Sequence, residues 1–181
     1  MEVVPTMLGD VIEFRPRRFG DDRGWFAETW KRSVFEDAGI DADFIQDNES
    51  VSAPEATVRG LHYQLAPHAQ SKLVRVVSGS ILDVAVDIRR DSPTFGQHVT
   101  VTLTAEKGNQ LFVPAGFAHG FWTLEPDVHV TYKVTGVYSP DHERSIRWDD
   151  PALGIDWPGS DAILSAKDAV APLLADQPDL F

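Results

Sequence analysis

Between residues 81 and 103 the chain alternates. Leu82, Val84, Val86 and Ile88 fall on one parity and Ile81, Asp83, Ala85 and Asp87 on the other, while Val99, Val101 and Leu103 alternate with threonines. A period of two sends successive side chains to opposite faces of an extended strand, whereas a helical face returns only about every 3.6 residues. Strands are therefore expected here, and runs of similar character occur at Val11 to Arg15, Trp25 to Trp30, Phe44 to Ser52, Thr57 to Gln64, Lys72 to Val77, Gln110 to Val113, Phe117 to Thr123 and Val128 to Val137. Ser78-Gly79, between Val77 and Ser80, has the length and glycine of a tight hairpin connection. Such regular spacing predicts a closed or double-sheet β architecture. Helix is expected only at Lys31 to Ala38, with Gly39 in a C-cap position, and weakly from Ser165 to Leu174, where Pro172 interrupts. Pro140 to Pro158 reads as an ordered loop system on the barrel.

At 181 residues, residues 1–181 are expected to form a single domain able to bury its own core. The chain has no cysteine, so no disulfide argues for an oxidising compartment. Met1 to Pro5 has neither a basic nor an apolar leader character, and no apolar run reaches membrane-spanning length, so a cytoplasmic protein is expected. The net charge of −12 repels phosphate at long range and argues against nucleic acid or an anionic membrane as partner. Basic residues such as Arg23, Arg59, Lys72 and Arg75 must then act locally, by reversing the potential within one cleft.

Alternation also aims several polar residues at a barrel interior: Gln46 and Asn48 on one run, Arg59, with His62 three residues on, around another, and Lys72 on the next. Burying such groups costs several kcal/mol unless they are paired or meet a ligand. A polar ligand with negative charge would meet that cost. Gly108, five residues, Pro114-Ala115-Gly116, two residues and His119 reproduce the second half of the cupin signature in full. Where a metal-binding cupin carries His-x-His and then Glu seven residues before a glycine, this chain has His62, Gln64 and Lys72, with Gly79 beyond. The resemblance implies a cupin-type double-stranded β-helix, an all-β jelly-roll barrel with short accessory helices. No metal is expected beside a lysine ammonium with two ligands of four missing.

More specifically, the chain resembles the dTDP-4-dehydrorhamnose 3,5-epimerase family. The likeness is carried by Asp22 to Trp30, Phe44 to Ser50, Val58 to Gln64, Asp83 to Arg89, Pro114 to Phe121, Thr131 to Lys133 and Ser165 to Asp168, in family order along nearly the whole chain. It implies an isomerase that inverts C3, C5 or both beside the 4-keto group of dTDP-4-dehydro-6-deoxy-D-glucose through an enolate, without cofactor, in deoxysugar biosynthesis of the rhamnose type. By position it assigns His62 as base, Asp168 as its carboxylate partner, Lys72 as the cation facing the C4 oxygen and Tyr132 as the acid on the opposite face. Arg23, Phe26, Glu28, Gln46, Asn48, Arg59, His119, Tyr138 and Glu143 would bind substrate, Tyr138 by stacking on thymine. Arg23 and Phe26 would reach a neighbouring subunit's pocket, which implies a homodimer.

Two departures bear on the site: Ser145 stands where glycine is expected, and Ala169 and Val170 follow Asp168 where relatives often have a basic residue. Three rivals share the fold: an epimerase of one carbon only, C3 or C5, a noncatalytic sugar-nucleotide-binding cupin, and a metal-dependent oxygenase.

Overall fold

A computed structural model describes all residues, Met1–Phe181. Its strands are β1 (Glu2–Pro5), β2 (Ile12–Arg15), β3 (Arg18–Asp21), β4 (Gly24–Ala27), β5 (Gln46–Ser52), β6 (Val58–Gln64), β7 (Lys72–Ser78), β8 (Ser80–Asp87), β9 (His98–Thr104), β10 (Gln110–Val113), β11 (Phe117–Thr123), β12 (Val128–Val134) and β13 (Glu143–Ser145). They form a six-stranded sheet in the order β1-β2-β10-β7-β12-β5, a five-stranded sheet in the order β13-β6-β11-β8-β9, and a separate β3-β4 hairpin. Every ladder pairing is antiparallel. The double-sheet jelly roll expected of a cupin is what forms.

The inner faces of the two sheets close on one apolar cluster, in which Val74 and Val76 of β7 and Val128 and Val130 of β12 meet Ile81 and Ala85 of β8 and Phe117 and Phe121 of β11. The other parity of β8, Val84 and Val86, packs outward with Leu61, Ile146, Leu153 and Leu174 beneath the C-terminal segment. This is why β8 is apolar on both parities: both of its faces are covered. The outer face of the six-stranded sheet is covered by α1 (Arg32–Asp37), where Phe35 stacks on Phe14 at 4.1 Å between ring centroids.

The Ser78-Gly79 junction departs from expectation. β7 and β8 do not pair; they lie in different sheets, and Gly79 is the corner at which the chain crosses between them. Its φ is +83°, and a Cβ there would stand 2.8 Å from Val128 Cγ2, so glycine serves both backbone and space. The strand expected from Trp25 to Trp30 stops at Ala27, and that from Val128 stops at Val134. The helix expected from Ser165 to Leu174 resolves into two single 3-10 turns, Asp168–Val170 and Leu174–Asp176, consistent with the inability of Pro172 to donate a helical hydrogen bond. Gly39, at φ +80°, follows the α1 cap residue Ala38. No helix is long and apolar enough to cross a membrane.

Candidate active site

β6 carries His62 and β11 carries His119, and the two stand opposite each other in register. The strands approach closely just before that pair: at Gly60 a Cβ would lie 2.5 Å from the Cα of Gly120, and the register slips between His119 and Phe121. Lys72, the first residue of β7, and Tyr132 of β12 come from the facing sheet. Two adjoining cavities of about 520 and 290 Å³ share His62, Lys72 and Tyr132 in their walls. The larger is also lined by Arg59, His119 and Asp168, and the smaller by Gln46, Asn48, Tyr138 and Glu143.

His62 Nε2 lies 2.6 Å from Asp168 Oδ1, although 106 residues separate the two in sequence. The contact exists because the C-terminal segment is tied along β6: Val58 N–H donates to Ile163 O at 3.0 Å and Ile163 N–H donates to Ala56 O at 2.8 Å. Ser165 Oγ then accepts from Asp168 N–H at 3.1 Å. Burial raises the Asp168 carboxyl, but the hydrogen bond and charge interaction with His62 outweigh it and hold Asp168 below the usual carboxylate range. With Asp168 accepting at Nε2, the lone pair of a neutral His62 resides on Nδ1.

Lys72 makes no ion pair; its ammonium has only the His62 carbonyl, at 3.5 Å. Desolvation lowers its pKa to about 8 against the supporting charges of Asp83 and Glu143. Burial raises the Tyr132 phenol, with Arg59 opposing, so the ring keeps its proton. Arg59 is held by Ser52 Oγ at 3.1 Å and Val51 O at 3.0 Å and has no carboxylate partner. Lys72, with no ion pair, and Arg59, with no carboxylate partner, thus face one cleft of a chain whose net charge is −12; Arg23 and Arg75, also expected there, do not line it.

At the mouth, Gln46 Nε2 donates to Asn48 Oδ1 at 2.7 Å, and Tyr138 O–H donates to Glu143 Oε2 at 2.8 Å. Burial raises Glu143, yet hydrogen bonds from Lys167 and Tyr138 bring it below its ordinary value. Lys167 Nζ meets Glu143 Oε1 at 2.5 Å and was missed in the sequence; its one signal is adjacency to Asp168. It places a base on the N-terminal side of Asp168, although Ala169 and Val170 leave none on the other. Ser145 lies buried on β13 in register with His62, and its carbonyl accepts from Gln177 Nε2 at 3.0 Å; the small side chain is accommodated behind the base.

Arg23, Phe26 and Glu28 are not brought to the cavities. Arg23 pairs with Asp21 at 2.6 Å at the tip of the β3-β4 hairpin, Phe26 is 70% exposed, and Glu28 follows in the exposed linker.

The residues at cupin ligand positions do not suit a cation. Gln64 spends its amide on the backbone, donating to His68 O and Val137 O and accepting from Ser139 N–H. Lys72 repels a cation, and both imidazoles already meet carboxylates. The arrangement is instead one for proton transfer beside a developing oxyanion: a histidine with a carboxylate behind it, an ammonium and a phenol around one space.

Comparison with known proteins agrees with this chemistry. The profile of the dTDP-4-dehydrorhamnose 3,5-epimerase family matches residues 5–176. A dTDP-4-dehydrorhamnose 3,5-epimerase of Sinorhizobium fredii is 51% identical over 175 residues, 96% of this chain and 90% of that protein. The crystal structure of the Legionella pneumophila dTDP-6-deoxy-D-glucose-3,5-epimerase in complex with dTDP-4-keto-L-rhamnose superposes with a TM-score of 0.92 at 45% identity, covering 96% of this chain and 93% of that one. The Bacillus anthracis dTDP-4-dehydrorhamnose 3,5-epimerase, with TDP and PPi bound, gives 0.92 at 49% identity over 95% of this chain and 98% of that one. With fold, cavity and sequence in agreement along nearly its whole length, the chain belongs to the dTDP-4-dehydrorhamnose 3,5-epimerase family.

Proposed function

We propose that the protein inverts both C3 and C5 of dTDP-4-dehydro-6-deoxy-D-glucose, as a metal-independent and cofactor-free 3,5-epimerase of deoxysugar biosynthesis. The observation that carries the reading is the convergence of His62 with its Asp168 partner, unpaired Lys72 and protonated Tyr132 on one space. His62 Nδ1 takes the proton from the carbon beside the ketone; the C–H electron pair moves into the ring and the charge collects on O4. Lys72 stabilises that oxyanion, and a preorganised donor there is worth roughly 3 to 4 kcal/mol of barrier. Asp168 stabilises the imidazolium formed on His62. Tyr132 delivers a proton to the opposite face of the carbon, so configuration inverts.

Arg59 suits charge-assisted hydrogen bonds to the diphosphate, and Tyr138, exposed at the rim, suits stacking on thymine. Gln46, Asn48, His119 and Glu143 contact sugar and nucleotide. The β3-β4 hairpin, with Phe19, Trp25 and Phe26 exposed, fits a homodimer in which Arg23, Phe26 and Glu28 complete the partner's pocket.

The reaction is tested in deuterium oxide with dTDP-4-dehydro-6-deoxy-D-glucose as substrate. Deuterium is expected at both C3 and C5. Label at one carbon alone would make the protein a mono-epimerase, and no label with folded protein would leave only a binding module.

A further inference from the structure

Asp83 occupies a place in the barrel where its neighbours on the same parity, Ile81 and Ala85, belong to the apolar core. It is fully buried, its Oδ1 lies 2.7 Å from His119 Nε2, and its Oδ2 is sealed from solvent without a hydrogen-bond partner. A half-satisfied carboxylate costs stability that a leucine in that position would not. It does not line the cavity, but His119 and Lys72, which do, both lie within its field. His119 Nδ1 forms no hydrogen bond and is not among the atoms sealed from solvent, so this nitrogen is the one open to the cavity.

We propose that Asp83 is a positioning residue of this site: it holds His119 with the proton on Nε2, so that Nδ1 accepts a hydrogen bond from a sugar hydroxyl. The inference rests on the epimerase reading. A carboxylate accepts only, so the imidazole must donate to it, and the ring's other nitrogen then presents a lone pair. Burial lowers His119, with Lys72 and His62 adding to the effect against Asp83, which keeps the ring neutral and its Nδ1 an acceptor. His119 therefore recognises a hydroxyl donor rather than a phosphate oxygen.

The test has two arms. Ring ¹⁵N NMR of the wild-type protein near neutral pH should show His119 neutral with the proton on Nε2; a proton on Nδ1, or an imidazolium, overturns the proposal whatever the activity. In Asp83→Asn, turnover should fall roughly tenfold to a hundredfold and the His119 ring spectrum should no longer show the proton fixed on Nε2, with dTDP affinity unchanged because dTDP carries no sugar at that end. Wild-type turnover together with an unchanged His119 tautomer in the variant overturns it. Should that variant fail to fold, the wild-type tautomer decides. Failure of the epimerase reading would look different: wild-type protein would incorporate no deuterium while the NMR result stood.

Discussion

Two imidazole–carboxylate pairs meet across β6 and β11 with nearly the same geometry, 2.6 Å for His62–Asp168 and 2.7 Å for His119–Asp83. They differ in cover. The His62 side chain is 28% exposed and that of His119 is 8%; Asp168 keeps 4% and Asp83 none. On the proposed reading, the more exposed His62 takes the substrate's proton, while the more enclosed His119 accepts a hydroxyl through Nδ1. On that reading the same two residue types take two roles, and the difference in cover goes with the difference in role.

Breaking the first pair should have the largest effect. His62→Ala is expected to lower turnover about 10³- to 10⁴-fold and to abolish deuterium incorporation, while dTDP binding measured by calorimetry changes little. A comparable loss of dTDP affinity would remove His62 from the chemistry.

The cation between the pairs sharpens the contrast. Lys72→Met should cost roughly 10²- to 10³-fold in turnover and yet stabilise the fold by about 1 to 4 kcal/mol, because a desolvated charge is replaced by apolar packing. The sign of its pH dependence follows from linkage. Folded Lys72 loses its proton near pH 8 and unfolded lysine near 10.5, so between those values the unfolded chain holds more protons and wild-type stability rises with pH. Denaturant titrations from pH 7 to 10 should therefore show the Lys72→Met advantage shrinking as pH rises; a constant gap would place Lys72 in solvent.

The smallest effect concerns Asp168. Its folded pKa lies below the 3.8 of a free aspartate, so its stabilising contribution is present above that value and is lost as pH falls through the folded pKa. Asp168→Asn should flatten that part of the acid limb in thermal melts below about pH 4, and an unchanged limb would mean that the His62 contact contributes nothing to the fold.

How much of this was legible in the sequence varies by residue. Alternation at Leu82 to Ile88 announced a strand because its period is a local property of backbone geometry. The same stretch could not say which strands would flank β8, and Gly79, which suits a hairpin, instead turns the chain between sheets. A positive φ is a local demand; the direction in which the chain leaves it depends on what packs there, here Val128. His62 and Lys72 could be singled out from the cupin signature, but Asp168 was reached through family resemblance alone, since no spacing rule joins residues 106 apart. Asp83 stands as a charge among aliphatics, but a carboxylate on an alternating strand reads equally well as a solvated face until the second sheet covers it.

The sequence by itself determined the strands, the presence of His62, Tyr132 and Lys72, and the negative field against which any basic cleft must work, because period, residue type and net charge are properties of the chain. Tertiary structure alone decided that Ile163 ties the C-terminal segment along β6 so that Asp168 arrives behind His62, that Lys167 caps Glu143, and that Arg23 and Phe26 stand away from their own chain's cavity. Those are through-space relations between distant segments, fixed by which faces are buried together.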